Sequence, residues 1–162
     1  MAKVIAICGK ICCGKTYYSN LIKQKDKSVI LSCDEVTRII FNNQLGNNHD
    51  EILIKIKQYL LQKALEIINV GTNVILDWGF WSKKERIDIK DYFKSENIEV
   101  EIHYIDISSN AWNKNIQERN NRILNGQDKL NYYLDEGLIN KLLSLWEVPN
   151  QEEIDVWYKL DR

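Results

Sequence analysis

A short apolar segment leads directly into a glycine-rich loop near the start of the chain, and this pair of features constrains the fold most. Residues 9–16 read GKICCGKT, which satisfies the pattern G-x-x-x-x-G-K-[ST] at every fixed position. Residues 3–8 are apolar and rich in β-branched side chains, as in a buried parallel strand. A helix is predicted over residues 14–25. A strand, this loop and a helix in succession predict a phosphate-binding loop (P-loop).

The residue types of the loop predict how it holds a nucleoside triphosphate, with ATP or GTP left open. Gly9 and Gly14 allow the backbone N–H groups to approach phosphate oxygens closely. Lys15 is expected to reach the β- and γ-phosphates and Thr16 to ligate Mg²⁺. The residues expected to contact the nucleotide are Gly9, Lys10, Ile11, Cys12, Cys13, Gly14, Lys15, Thr16 and Tyr17. The alternative is a glycine-rich turn with a chance lysine.

Strand-like and helical patterns alternate along the rest of the chain, which predicts an α/β fold with a parallel sheet covered on both faces. Further strands are predicted at residues 28–32, 73–77, 98–105 and 154–158, and further helices at 34–41, 52–68, 82–94, 111–124 and 136–145. The chain of 162 residues has one proline and no Gly/Ser linker. We therefore expect a single domain over residues 1–162, with a small lid around residues 112–130.

Charge and cysteine usage exclude some functions. Lys and Arg total 22 against 23 Asp and Glu, so the net charge of -1 gives no general attraction to nucleic acid or anionic membranes. Residues 1–7 are too short for the apolar core of a signal peptide, and no other apolar stretch approaches the length of a membrane span, so we expect a cytoplasmic protein without a membrane segment. We expect a monomer or homodimer. The four cysteines match no disulfide framework or zinc site. Cys12 and Cys13 leave a redox role open, against the alternative that cysteine is simply small enough for the loop.

A second carboxylate position is predicted on the metal side. Residues 74–77 are an apolar strand ending in Asp77. P-loop enzymes commonly hold Mg²⁺ through an Asp at the carboxyl end of a strand. Thr16 and Asp77 are therefore the candidate metal-site residues.

Two groups of charged residues are candidates for chemistry at the phosphate. Asp34 and Arg38 lie four residues apart on one predicted helical face, so that Asp34 can accept a proton from an attacking hydroxyl while Arg38 orients the acceptor. The same spacing fits a simple ion pair. Arg119 and Arg122 lie near the end of a predicted helix beside a polar turn. They can stabilise charge on the γ-phosphoryl group, Arg119 in preference to Arg122, or form a solvated basic helix end.

Aromatic residues follow Asp77 directly. Trp78, Phe80 and Trp81 can stack on a base, a sugar face or another ring of an acceptor, or can pack beneath the next helix. Arg86 can bind a substrate phosphate or lie on the surface of its helix. These four residues complete the candidate acceptor site, for which the sequence favours no single ligand.

The whole chain resembles a small P-loop kinase of the nucleoside-monophosphate-kinase-like group. It is most similar to the zeta-toxin, chloramphenicol phosphotransferase and polynucleotide kinase cluster, whose members are often labelled AAA-type ATP-binding proteins. The resemblance is carried by the P-loop, by residues 31–38 (LSCDEVTR), by residues 74–80 (VILDWGF) with Arg86, and by residues 118–120 (ERN). Cys12 and Cys13 depart from the small residues usual at their positions.

The resemblance implies a three-layer fold with the sheet order 2-3-1-4-5. It also implies Asp34 as general base, Asp77 near the Mg²⁺, Arg38 at the acceptor and Arg119 in a lid. The expected activity is transfer of the γ-phosphoryl group of ATP to a hydroxyl of a small molecule, such as an antibiotic, nucleoside or sugar nucleotide. The alternatives are a polynucleotide 5′-hydroxyl kinase and a regulatory ATPase without a dedicated acceptor.

Overall fold

The computed structural model describes residues 1–161 and contains a five-stranded sheet with helices on both sides. The strands are β1 (Val4–Cys8), β2 (Ser28–Leu31), β3 (Asn73–Gly79), β4 (Val100–Ile107) and β5 (Val156–Leu160). The α-helices are α1 (Lys15–Asp26), α2 (Cys33–Phe41), α3 (His49–Asn69), α4 (Lys83–Ser95), α5 (Ser109–Leu124) and α6 (Glu136–Ser144). Short 3-10 helices occupy Gly46–Asn48 and Gln151–Glu153.

The sheet order confirms the predicted topology. Strands lie side by side in the order β2-β3-β1-β4-β5, and each neighbouring pair is parallel. Parallel neighbours require crossover connections, which the intervening helices supply. The predicted three-layer α/β fold is therefore confirmed.

Side chains of the central strand β1 divide between two hydrophobic cores. Val4, Ala6 and Cys8 are fully buried in the core that also contains residues of α3 and α4. Ile5 and Ile7 are fully buried on the opposite face, against α1 and α5. Burial on both faces explains why the strand reads as a continuous apolar run rather than as an alternating pattern.

Strand β3 continues two residues past its predicted end, from Asp77 to Gly79, while β4 and β5 each lie two residues later in the chain than predicted. Gly79 pairs with Cys8 of β1, and its carbonyl accepts a hydrogen bond from the N–H of Gly9 at 3.0 Å. The following helix, predicted from residue 82, begins with a capping box formed by Ser82 and Glu85. Because β3 ends beside the P-loop, the aromatic segment after it is brought to the same edge of the sheet.

The predicted substrate role of Arg86 is wrong, as is its predicted alternative of a surface position. Its side chain is only 1% exposed and forms an ion pair with Glu153 at 2.9 Å. The same guanidinium donates to the carbonyl oxygens of Phe80, at 3.0 Å, and Trp81, at 3.3 Å. Arg86 therefore fixes the turn after β3 from inside the protein.

Replacing Arg86 by methionine is expected to lower the free energy of unfolding by about 3 kcal/mol, because Glu153 and two carbonyls lose a buried cationic partner. Chemical denaturation of the variant measures this loss. Lys94→Met, an exposed position on the same helix, is the matched control and should change stability little. Equal stabilities of the two variants would contradict the structural role of Arg86.

Among residues 1–161, no helix is both long enough and apolar enough to cross a membrane.

Candidate functional site

Three strands place the candidate residues at one edge of the sheet. The P-loop follows β1, Asp34 lies in the first turn of α2 just after β2, and Asp77 lies within β3. Since β3 lies between β2 and β1, their carboxyl ends meet at this edge, where parallel α/β sheets bind ligands.

The start of α1 is left free of side-chain caps. Gly14 is its N-cap residue, with φ of 93°, and no side chain accepts from the first-turn N–H groups. By contrast, α2, α4, α5 and α6 each have a Ser or Asp side chain that accepts a hydrogen bond at this position. The first N–H groups of a helix have no partner within the helix and attract anions. The beginning of α1 is therefore suited to bind phosphate.

Three side chains from outside the P-loop fix its carbonyl groups. Trp81 donates from Nε1 to the oxygen of Gly9 at 3.0 Å, and Trp112 donates from Nε1 to the oxygen of Ile11 at 2.7 Å. Asn115 donates to the oxygen of Cys12 at 2.9 Å. With the carbonyls held outward in this way, the shape of the loop is set before any ligand binds.

The cysteines of the P-loop fit its packing. A Cβ atom at Gly9 would lie 2.3 Å from the sulfur of Cys13, so any larger residue would displace that buried thiol. All four cysteines are free thiols. Burial raises the pKa of Cys13 and raises the pKa of Cys8 to about 12, so both are protonated at neutral pH. This favours the explanation that Cys13 is present for its size.

Lys15 is positioned to carry positive charge into the loop. Its ammonium donates to the carbonyl oxygens of Lys10, at 3.1 Å, and Gly9, at 3.3 Å. Burial lowers the pKa of Lys15, but the acidic groups around it outweigh burial and raise that pKa above its ordinary value. Because Cys13 is a neutral thiol at neutral pH, the negative charges that act there are those of Asp77 and Asp34. Lys15 is therefore an ammonium ion at neutral pH.

Thr16 and Asp77 form the pair expected to hold Mg²⁺. The hydroxyl of Thr16 donates to Oδ2 of Asp77 at 3.1 Å, so both oxygens can face one cation. Among residues 1–161, no group of three His, Cys, Asp or Glu side chains can hold a metal unaided. A site with few protein oxygens fits Mg²⁺, which completes its coordination with phosphate oxygens and water.

The ionised carboxylate of Asp77 lowers the stability of the folded protein when no nucleotide is bound. Burial raises the pKa of its carboxyl group, and Lys15 and Thr16 offset only part of this effect. The folded protein therefore holds that proton more tightly than the unfolded chain. Stability consequently falls as the pH rises above the ordinary value of 3.8, and remains lower at neutral pH.

Asp77→Asn is thus expected to raise the Tm of the nucleotide-free protein at pH 7 and to weaken Mg²⁺-dependent triphosphate binding by at least about tenfold. Thermal unfolding in EDTA and titration of ATP with and without Mg²⁺ measure the two effects. Asp91→Asn, an exposed change, is the control. A lower Tm together with unchanged Mg²⁺ dependence would contradict the assignment.

Two adjoining cavities open at this edge of the sheet. The first, here called the phosphate cavity, has a volume of about 360 Å³ and is lined by residues 11–17, Asp77, Arg119 and Arg122, among others. The second, here called the acceptor cavity, has a volume of about 480 Å³ and includes Arg38 and Trp81 in its lining. Four residues line both cavities: Ile11, Asp34, Arg119 and Asn131.

Asp34 and Arg38 are brought to the acceptor cavity without pairing to each other. Among the described residues, no ion pair joins their side chains, although they lie four positions apart on α2. Both side chains are exposed. The simple ion-pair interpretation is therefore not supported, and the carboxylate of Asp34 faces the boundary between the cavities.

Helix α5 brings Arg119 and Arg122 to the phosphate cavity. Arg119 donates to the sulfur of Cys12 at 3.6 Å and lies over the ring of Tyr132, 5.2 Å from its centre. Its Nε is buried and has no hydrogen-bond partner within residues 1–161. An unpaired buried donor beside the P-loop is a candidate to bind a phosphate oxygen. Arg122 is more exposed and lines only the phosphate cavity.

The aromatic residues after Asp77 divide between two separate cavities. Trp81 lines the acceptor cavity. Trp78 and Phe80 instead stack on each other, with ring centres 5.7 Å apart, in a separate apolar pocket beside α3 and α4. Trp78 also donates to the oxygen of Leu31 at 3.0 Å. Trp78 and Phe80 therefore pack in the core and do not line the acceptor cavity as predicted, because the turn at Gly79 separates them from Trp81.

Known proteins share this fold. A family model described as the AAA domain matches residues 4–131. No match was found among curated proteins. The crystal structure of a protein from Chloroflexus aurantiacus j-10-fl, whose kinase activity is inferred, is similar with a TM-score of 0.72 at 14% identity. The similarity covers 99% of this chain and 88% of that chain.

Two further solved structures are similar. The APS kinase CysC of Mycobacterium tuberculosis, in complex with AMPPNP and APS, has a TM-score of 0.66 at 14% identity, covering 99% of this chain and 90% of that chain. A chain of the Pnkp1/Rnl/Hen1 RNA repair complex has a TM-score of 0.69 at 16% identity, covering 89% of this chain and 43% of that chain. These identities are low enough that the likeness concerns the fold. Because the family model spans most of the chain, from β1 to the loop after α5, this protein belongs to the AAA domain family and has the fold of the small P-loop kinases.

Proposed function

We propose that this protein is an ATP-dependent phosphotransferase, which moves the γ-phosphoryl group of ATP to a hydroxyl of a small molecule. The observation that carries the proposal is the position of Asp34 at the boundary between the phosphate and acceptor cavities. A protein that only hydrolyses or senses a triphosphate has no need of a second cavity beside its phosphate site. A kinase needs both, with a base between them.

Each side chain at the boundary has a separate role. Asp34 accepts the proton of the attacking hydroxyl, and its carboxylate is free for this because no other side chain within residues 1–161 donates to it. Arg119 binds an equatorial oxygen of the transferred group, with Arg122 farther out. Arg38, which lines only the acceptor cavity of the two, orients the acceptor.

The P-loop holds the donor. The ammonium of Lys15 and the first N–H groups of α1 bind the phosphates and stabilise negative charge as it shifts toward the leaving oxygen. Thr16 and Asp77 would hold Mg²⁺, which supplies further charge neutralisation when bound. Trp112 and Asn115 act on the loop itself, by fixing its carbonyls.

The proposal is tested by following the γ-phosphate of labelled ATP. The protein is incubated with Mg²⁺ and ATP together with antibiotics, nucleosides, sugar nucleotides or an oligonucleotide with a 5′-hydroxyl, and phosphorylated products are identified by mass spectrometry. Transfer to a small-molecule hydroxyl that Asp34→Asn abolishes is the expected result. Transfer to the oligonucleotide alone would identify a polynucleotide kinase. ATP hydrolysis insensitive to every acceptor and to Asp34→Asn would identify a regulatory ATPase.

A further inference from the structure

The side chains that line the acceptor cavity indicate which chemical class of hydroxyl compound it binds. We infer that the acceptor is a small alcohol with an apolar or aromatic body rather than a polyol, a sugar nucleotide or a polynucleotide. This inference rests on the proposed function, since it concerns the second substrate of the same reaction.

Apolar side chains from several parts of the chain meet in the cavity. They come from the loop after α2, from α3, from the turn after β3, from the loop after α5 and from the end of α6: Leu45, Leu53, Trp81, Tyr132, Leu142 and Leu145. Leu145 and Tyr132 are 54% and 51% exposed, so each offers apolar surface that a ligand can cover. Covering such surface stabilises a complex by roughly 25 cal/mol per Å². A polyol gains little from this apolar surface, which offers no replacement for the hydrogen bonds that its hydroxyls make to water.

The ionisable side chains of the cavity do not select a polyanion. The acidic and basic side chains of its lining are Asp34, Arg38, His49 and Arg119. Arg119 also lines the phosphate cavity and is matched by the triphosphate, while Asp34 balances the charge of Arg38. His49 contacts the carboxylate of Asp50 at 3.2 Å. A sugar nucleotide or polynucleotide would therefore bring several negative charges to a cavity without surplus positive charge.

A hydrogen bond joins two walls of the cavity. The amide of Asn43, which follows α2 and lines the cavity, donates to the carbonyl oxygen of Leu130, whose neighbours Asn131 and Tyr132 also line the cavity. The bond links segments 87 residues apart in sequence. Because this bond closes the acceptor cavity between the two segments, the cavity fits a compact ligand better than a polymer, which must extend beyond the site.

The test compares four acceptor probes at equal concentration: naphthylethanol, glucose, a sugar nucleotide and an oligonucleotide with a 5′-hydroxyl. Calorimetry measures their binding to Asp34→Asn in the presence of AMPPNP and Mg²⁺, and labelled ATP measures transfer by the wild type. We expect naphthylethanol to bind and accept phosphate at least about tenfold better than the other three. Stronger binding of any polar probe, or no binding of naphthylethanol, would overturn the inference.

A variant pair tests the lining itself. Leu145→Gln should raise the KM for naphthylethanol about tenfold with little change in kcat. The apolar contact that it removes is made equally in the bound ground state and in the transition state. Leu124→Gln changes a leucine that is 70% exposed outside the cavity and is the control. Equal KM values for the two variants would overturn the inference. Binding of naphthylethanol that depends on Leu145, without phosphate transfer to any probe, would instead refute the proposed kinase activity.

Discussion

Lys15→Ala is expected to abolish measurable phosphate transfer, with a loss of at least about 100-fold, and to weaken triphosphate binding. The ammonium of Lys15 donates to Gly9 and Lys10 of the loop, and the negative charges around it keep it protonated at neutral pH. Lys15 is the cation that lowers the pKa of Asp77, so removing it leaves the repulsion between that carboxylate and the phosphates uncompensated. ATP titration calorimetry and the transfer assay measure the two losses.

Lys25→Ala is the matched control for this variant. Lys25 lies in the last turn of the same helix, is exposed, and lines neither cavity. Its replacement should leave ATP binding and transfer within about twofold of the wild type. If Lys15→Ala bound ATP as well as this control, the loop would not be the triphosphate site.

Asp34→Asn is expected to spare ATP binding and to reduce the transfer step by a factor of about 10² to 10⁴. An amide at this position keeps the size of the side chain but cannot accept the proton of the attacking hydroxyl. The Thr37 hydroxyl donates to the backbone carbonyl oxygen of Asp34 and not to its carboxylate. The carboxylate forms no ion pair among the described residues, so the substitution breaks none and should not unfold α2. Single-turnover transfer with saturating ATP measures the chemical step directly.

Glu35→Gln is the control for the second variant. Glu35 is the next residue of α2, is exposed and lines neither cavity. Its loss of charge should leave the rate of transfer nearly unchanged. If the two variants slowed transfer to the same extent, the effect would be a general charge effect on α2 rather than proton acceptance by Asp34.

The donor side of the site was predictable from sequence because it is local. The glycines, Lys15 and Thr16 lie within eight consecutive residues whose spacing is fixed by the shape of a phosphate-binding turn. Asp77 was predictable because it follows an apolar run of sequence, residues 74–76, and the family resemblance supplied the order of the strands. These features depend on short segments of chain, where residue type and spacing determine the structure.

The contacts that position this loop were missed because they join distant parts of the chain. Trp112 and Asn115 donate to carbonyls of residues more than 100 positions earlier, at separations of 101 and 103. Carbonyl oxygens are identical in every residue type, so no sequence pattern marks them as partners. The burial of Arg86 was missed for a similar reason, since its partner Glu153 lies 67 residues away.

The separation of Trp78 and Phe80 from Trp81 depends on backbone conformation. Gly79 has φ of 88° and Phe80 has φ of 45°, so the chain turns sharply within two residues. A Cβ atom at Gly79 would lie 2.8 Å from Nε1 of Trp81, which shows how closely the turn approaches that ring. The run of aromatic residues predicted a shared role, whereas the turn sends them to different surfaces.

The separate roles of Lys15 and Asp34 are tested by the ATP affinities of Lys15→Ala and Asp34→Asn. Calorimetry with Mg²⁺ measures both affinities side by side, and each is paired with the transfer rate of the same variant. We expect weak binding and no transfer for Lys15→Ala, but binding close to that of the wild type and greatly slowed transfer for Asp34→Asn. Equal loss of ATP affinity in the two variants would contradict the division of the site into a phosphate cavity held by Lys15 and an acceptor side served by Asp34.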